Sequence, residues 1–287
     1  MQNYLGQLLM FLVTLIGASG WFLSKNAIAE MPSVGFMGLR FLLAAIIFLP
    51  FAYPALSQIS KAHIIRASAV GVALALNLLL WVQGITYSND LGEGAFLVSL
   101  SMLIAPLISW LIFKHRPLPV FWLSMPIALA GLYLLAIGRY GELRFSTGSI
   151  LFLLSSLSAA LYFVLNHQYA KNIASMPLIV IQFGIVGMLC SGYSLAFESW
   201  QADISGKTWL WFVASVLIAS NLRYFVQTVG QKHCHISTAA IIMVLEPVWT
   251  LMLSVWLMNE TLTALKLLGC SLILCALLVY RLNVVKK

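Results

Sequence analysis

Charge is scarce in this chain of 287 residues: Asp, Glu, Lys and Arg together make up 8%, where a soluble globular domain carries about 25%. That deficit excludes an ordinary soluble protein. Long polar segments are also missing, so no room is left for a separate soluble domain. There is no glycine-rich phosphate loop closed by Lys-Ser/Thr, which argues against direct ATP drive. No basic run forms a nucleic-acid surface, because the formal charge of +8 is spread over short loops. The four cysteines, Cys190, Cys234, Cys270 and Cys275, lack zinc-ligand spacing and read as small apolar packing residues. No metal or cofactor is expected. The opening stretch MQNYLGQLLMFLVTL has no basic leader and reads as the start of a span, not as a cleavable signal.

What is present is apolar: 62% of residues are hydrophobic. The apolar runs are about 20 residues long, which fits membrane-spanning helices and not the alternating strands of a barrel. The expected fold is an all-α membrane protein of ten transmembrane helices, near 5–24, 34–52, 67–86, 92–113, 119–137, 147–166, 177–197, 208–229, 236–258 and 264–282. With the amino terminus inside, Lys61, Arg66, Lys114, Arg116, Lys171, Lys232, Arg281, Lys286 and Lys287 fall on the cytoplasmic side. Lys25, Arg139, Arg144, Lys207 and Lys266 fall outside. This bias favours a multi-pass membrane protein with both termini cytoplasmic.

A weak internal repeat divides the chain near residue 143. Val82-Gln83 recurs as Val226-Gln227 and Met31-Pro32 as Met176-Pro177, at offsets of 144 and 145. The expected units are residues 1–142 and 143–287. Five spans in each unit turn the second upside down, giving two inverted repeats, a recurrent plan of secondary transporters with the substrate held at mid-membrane.

Polar residues inside the spans are the candidate site. Glu246, followed by Pro247, sits near the middle of a predicted span, where a carboxylate costs several kcal/mol unless it faces a cavity, takes a proton or finds a partner. It is either a coupling or substrate-binding group or an acid that fixes neighbouring helices. Arg223 either snorkels inward, pairs with Glu246 or binds a substrate carboxylate, and Asn221 lies half a turn away. Arg40 is expected to snorkel outward or to pair with Asp90 or Glu93, being placed about 9 Å below the outer surface. Asn77, Ser99 and Gln182 are equally candidates for ligand contact and for interhelical bonds, the latter worth about 0.6 to 2 kcal/mol. Trp21, Trp81 and Trp249 are placed to line a cavity or to face lipid. The small residues Gly17, Ala18, Ser19 and Gly20, and Ser155 to Ala160, predict close helix approach in the first and sixth spans. Gly17-Ala18-Ser19-Gly20 also spells a serine-nucleophile motif, but every histidine falls near the opposite side of the membrane, so no enzyme is expected.

These features resemble the drug/metabolite transporter superfamily, specifically its EamA-type ten-helix permeases. The resemblance rests on Glu246-Pro247 in the ninth span, on Tyr87, Ala95-Phe96-Leu97, Pro106 and Arg116-Pro117 between spans 3 and 5, and on Arg40. Where the family often carries Gly-Glu after the ninth span, this chain has Asn259-Glu260. The resemblance implies a bacterial inner-membrane carrier of amino acids, amines or related metabolites, commonly outward. The expected partners are a small-molecule substrate, the lipid bilayer and candidate coupling protons, with no nucleic acid; the oligomeric state stays open. The alternatives are a ligand-sensing membrane protein that moves nothing and a transporter of phosphorylated sugars.

Overall fold

The computed structural model describes residues 2–88, 90–114, 116–117, 119–136, 146–169, 173–233, 242–243 and 245–285. These are helical with short connections, and no strand occurs among them. In chain order the helices are α1 (Gln2–Ala27), α2 (Ser33–Leu56), α3 (Lys61–Tyr87), α4 (Leu91–Ser99), α5 (Ser101–Phe113), α6 (Pro119–Ala136), α7 (Thr147–Tyr169) and α8 (Ser175–Phe197). There follow α9 (Gly206–Ala214), a π-helical stretch (Ser215–Leu222), α10 (Arg223–His233), α11 (Leu245–Met258) and α12 (Ala264–Val285). Among the described residues, seven helices are long and apolar enough to cross a membrane. Three shorter apolar helices, Pro119–Leu135, Leu245–Met258 and Ala264–Tyr280, accompany them.

Local chemistry sets the ends. Ser60 caps α3 by accepting from the His63 N–H at 3.3 Å, and Ser205 caps α9 by accepting from the Thr208 N–H at 3.3 Å. Leu100 tightens the chain between α4 and α5 through an i to i+3 bond to the Leu97 carbonyl at 3.2 Å. Asn259 ends α11 in the left-handed region with φ 53°. The Glu260 N–H then reaches back to the Ser254 carbonyl at 3.3 Å, so the backbone folds back on the helix end and satisfies one of its orphaned carbonyls. Asn is among the few residues that tolerate this conformation. That explains how this chain replaces the glycine of the Gly-Glu pattern and keeps the turn.

The turn has a packing consequence. It delivers the buried Glu260 carboxylate to the first turn of α4, where it accepts from the Gly92 N–H at 2.9 Å and the Glu93 N–H at 3.4 Å. Glu198, just past α8, does the same for α2 through the Val34 and Gly35 N–H groups at 3.0 and 2.8 Å. Each acid satisfies otherwise orphaned donors at the positive end of a helix dipole.

The heaviest packing pairs α2 with α8, α3 with α7, and α6 with α12. α1 runs along the whole α9–π–α10 rod and also touches α11, while α4 packs on α11 and α7. One core gathers around Phe36, Phe41 and Phe183, the other around Phe96, Phe121 and Phe152. The outer shell is apolar, with Ile46, Phe51, Leu111, Leu195 and Trp256 exposed. An apolar exterior suits hydrocarbon as its solvent.

The candidate site on the α1 seam

Arg40, Arg223 and Glu246 meet along the seam between α1 and the α9–π–α10 rod. On it, the Arg223 Nη2 donates to both oxygens of Glu246, at 3.0 and 2.8 Å. Of the roles the sequence allows Arg223, pairing with Glu246 is the one observed. The two side chains keep 27% and 16% of their surface, so the pair is enclosed without being sealed. Gly17 of α1 makes the space: a β-carbon there would stand 2.6 Å from the Glu246 carboxyl carbon. One turn on, a β-carbon at Gly20 would meet the Ala219 methyl at 3.0 Å. The small cluster of the first span therefore serves two close approaches, one to a carboxylate and one to the π-helical stretch.

Glu246 lies in the first turn of α11 as described. The expected span began at 236, and residues 234–241 and 244 lie outside the described residues. Thr250 donates to the Glu246 carbonyl at 2.9 Å, and Trp249 donates from its indole nitrogen to the Thr14 hydroxyl at 3.1 Å. Trp249 also meets Phe11 edge-on at 5.9 Å. Trp249 thus ties α11 to α1 beside the charge pair.

Arg40 differs from both of its expected placements. It is 5% exposed, so it does not snorkel. Its Nε donates to Ser220 at 2.7 Å and its Nη1 to Ser24 at 3.0 Å. Asp90 and Glu93, its expected partners, are taken by Lys266 at 2.8 and 3.4 Å. The reason is helix rotation: Arg40 faces α1 and the π-helical stretch, whereas the two acids start α4 on the other core. Gly17, Gly20 and Ser24 recur at i, i+3 and i+7, the one-face spacing that could have marked this seam in the sequence.

The remaining candidates fall into separate groups. Trp21 and Trp81 meet edge-on at 5.0 Å, with Phe152 against Trp21 at 5.5 Å. Asn77 accepts from Ser155 of α7 at 2.9 Å. Gln182 donates to Asn166 of α7 at 2.9 Å. Ser99 donates to the Phe96 carbonyl of its own helix at 2.6 Å. Asn221, in the π-helical stretch, is 6% exposed, and among the described residues neither its amide nitrogen nor its oxygen has a hydrogen-bond partner. The Arg223 Nε is likewise buried and unpartnered. Unmatched buried polar atoms are rare in folded proteins and mark places where a ligand or water belongs. π-Helical turns also concentrate at functional sites.

A helical molecule with an apolar shell and a charged, incompletely satisfied seam has the make-up of a membrane transporter. The chain belongs to the EamA-like transporter family, whose model matches it twice, over residues 4–137 and 146–282. It is therefore a transporter and not an enzyme, a multi-pass membrane protein handling a small-molecule substrate. It is 26% identical over 273 residues to an uncharacterized transporter of Archaeoglobus fulgidus, covering 95% of this chain and 84% of the relative. It is 26% identical over 275 residues to the uncharacterized transporter YvbV of Bacillus subtilis, covering 94% and 89%. One protein crystal structure shares the fold over 99% of each chain, with a TM-score of 0.70 at 15% identity.

Proposed function

We propose that this chain is a secondary transporter that carries small organic metabolites, of the class of amino acids and amines, outward across a bacterial inner membrane. The carrying observation is the Arg223–Glu246 pair on the α1 seam, with unpartnered buried groups beside it. Alternating access takes place between two inverted five-helix halves, residues 1–142 and 143–287, with both termini cytoplasmic. The helix pairing supports this plan. Exchanging the halves maps the α2–α8 and α6–α12 pairs onto themselves, and maps α3–α7 onto α1 with its rod. The pairs α2–α8 and α6–α12 keep the halves together, and the inner helices move on them. α1 and α7 rock on their small residues, and Trp21, Trp81 and Trp249 line the path.

Glu246 and Arg223 are the central groups, with Asn221 as a substrate hydrogen-bonding amide. Asn77, Ser99 and Gln182 act as substrate contacts only when the outer or inner side opens, since each is bonded within the protein in this conformation. The test is counterflow in proteoliposomes across a panel of amino acids, amines, organic acids and sugar phosphates. Exchange of an organic metabolite that fails in Glu246→Gln supports the reading. A protein that binds such compounds but exchanges none of them is a sensor.

A further inference from the structure

The charges on the seam do not balance. Arg40 is held through Ser220, and Arg223 follows three residues later on the same rod, about 4.5 Å along its axis. Against these two cations stands one carboxylate, Glu246, and it is already bonded to Arg223. The other described acids are placed elsewhere. Glu30 accepts from Ser205, Glu198 caps α2, and Asp90, Glu93 and Glu260 gather around Lys266. Asp203 sits in the exposed loop before α9. Among the described residues, Arg40 therefore has two hydroxyls and the rings of Phe36 and Phe41, at 5.8 and 5.5 Å, but no anion.

Hydroxyl groups satisfy donors and ring faces offset part of the burial cost, but neither neutralises charge, and a buried cation without an anion in a membrane is disfavoured. The unpartnered Arg223 Nε adds a second donor to the same rod. We infer that the seam binds a small organic monocarboxylate, whose single negative charge completes the balance of two guanidinium groups and Glu246. This rests on the transport reading but shifts its substrate class: among small organic metabolites, acids without an ammonium group are selected over amino acids and amines. An ammonium-bearing ligand would bring a third cation to a place that already has one in excess. A dianion would reverse the imbalance.

The experiment is ligand-dependent thermal stability of the purified full chain in detergent, in a chloride-free buffer. The probes share one skeleton: 3-phenylpropionate, its primary amide, and the corresponding amine, with chloride and inorganic phosphate run separately. The acid is expected to raise the melting temperature, with the amide and amine inert at equal concentration. In Arg40→Gln the acid should bind at least about tenfold more weakly, equivalent to about 1.4 kcal/mol, with partial recovery in Arg40→Lys. An amine response equal to the acid's, an unchanged acid response in Arg40→Gln, or full stabilisation by chloride or phosphate alone would each overturn the inference. If Arg40→Gln does not fold, the comparison of acid, amide and amine on the unmodified chain decides by itself. Counterflow of the acid is scored separately. Binding without exchange removes the transport reading and leaves the anion site standing.

Discussion

Gly17 and Glu246 occupy one another's space: the Glu246 carboxyl group lies where the β-carbon of any larger residue at 17 would be. Gly17→Ala must therefore push the carboxylate off Arg223 or move α1 away from α11. Overpacking of this kind costs about 1–3 kcal/mol. The variant should melt earlier in detergent and lose transport, and Gly20→Ala, meeting only the Ala219 methyl at 3.0 Å, should lose less. Unchanged melting in Gly17→Ala would mean that the carboxylate has another place to go.

Breaking the charge pair from one side should hurt more than removing it. Glu246→Gln leaves Arg223 without its acid, and a fully buried pair broken this way costs about 3–5 kcal/mol. The partial exposure of both side chains makes that an upper bound. The double variant Glu246→Gln with Arg223→Gln should melt above the single Glu246→Gln variant. A double-mutant cycle with no coupling would show that the two residues act independently.

Asn77 and Asn221 are counterparts. Asn77-Leu78 and Val82-Gln83 recur as Asn221-Leu222 and Val226-Gln227, and 221 − 77 = 144 is the offset of the repeat. Yet one amide is bonded to Ser155 and the other, among the described residues, to nothing. Asn77→Leu should destabilise by about 0.6–1.7 kcal/mol, the range for such bonds in membranes. Asn221→Leu should be neutral or stabilising, because it removes two unmet polar atoms, while transport falls. Melting curves and counterflow on the same two preparations separate these outcomes.

The left-handed residue after α11 makes a backbone prediction. Asn259→Gly should hold or raise stability, since glycine adopts φ 53° without strain. Asn259→Ala should cost about 1–2 kcal/mol and loosen the Glu260 cap on α4. Equal melting of the two variants would remove the turn from the account.

Glu30 gives a pH dependence outside the membrane. The Ser205 N–H and hydroxyl, at 2.7 and 3.0 Å, hold its carboxyl below the usual value of 4.5, with Thr208 adding to the effect. A depressed folded-state pKa stabilises fully above the unfolded value and fades as pH falls through the folded one. The melting difference between the native chain and Glu30→Gln should thus be largest near neutrality and close once the pH is well below 4.5. A difference that grows on acidification would contradict the assigned bonds.

Hydropathy was enough to place the helices, because about 20 apolar residues have few other options. Seven expected spans stand as long apolar helices, and those near 119–137, 236–258 and 264–282 correspond to the three shorter ones. The Arg223–Glu246 pair was legible as one of three options, since two opposite charges in adjacent apolar spans seek each other. Arg40 was misplaced because hydropathy gives depth but not the rotation of a helix about its axis. Its true partners, Ser24 and Ser220, look like any small residues in a span. Ser220 and Asn221 also belong to a π-helical stretch that carries no Pro or Gly to announce it.

That stretch has a consequence for how the chain tolerates length changes. A π turn holds roughly one more residue than an α turn, because each bond reaches from i to i+5. Removing one residue between 215 and 222 lets the rod relax toward an ordinary α-helix, with Ser205 still capping its N-terminal end and Arg223 still facing Glu246. The same deletion in α1 has no slack to consume and swings everything beyond it by about 100°. The π-helical stretch is a reserve of backbone, the one part of the seam where the reading frame of contacts can slip and be recovered.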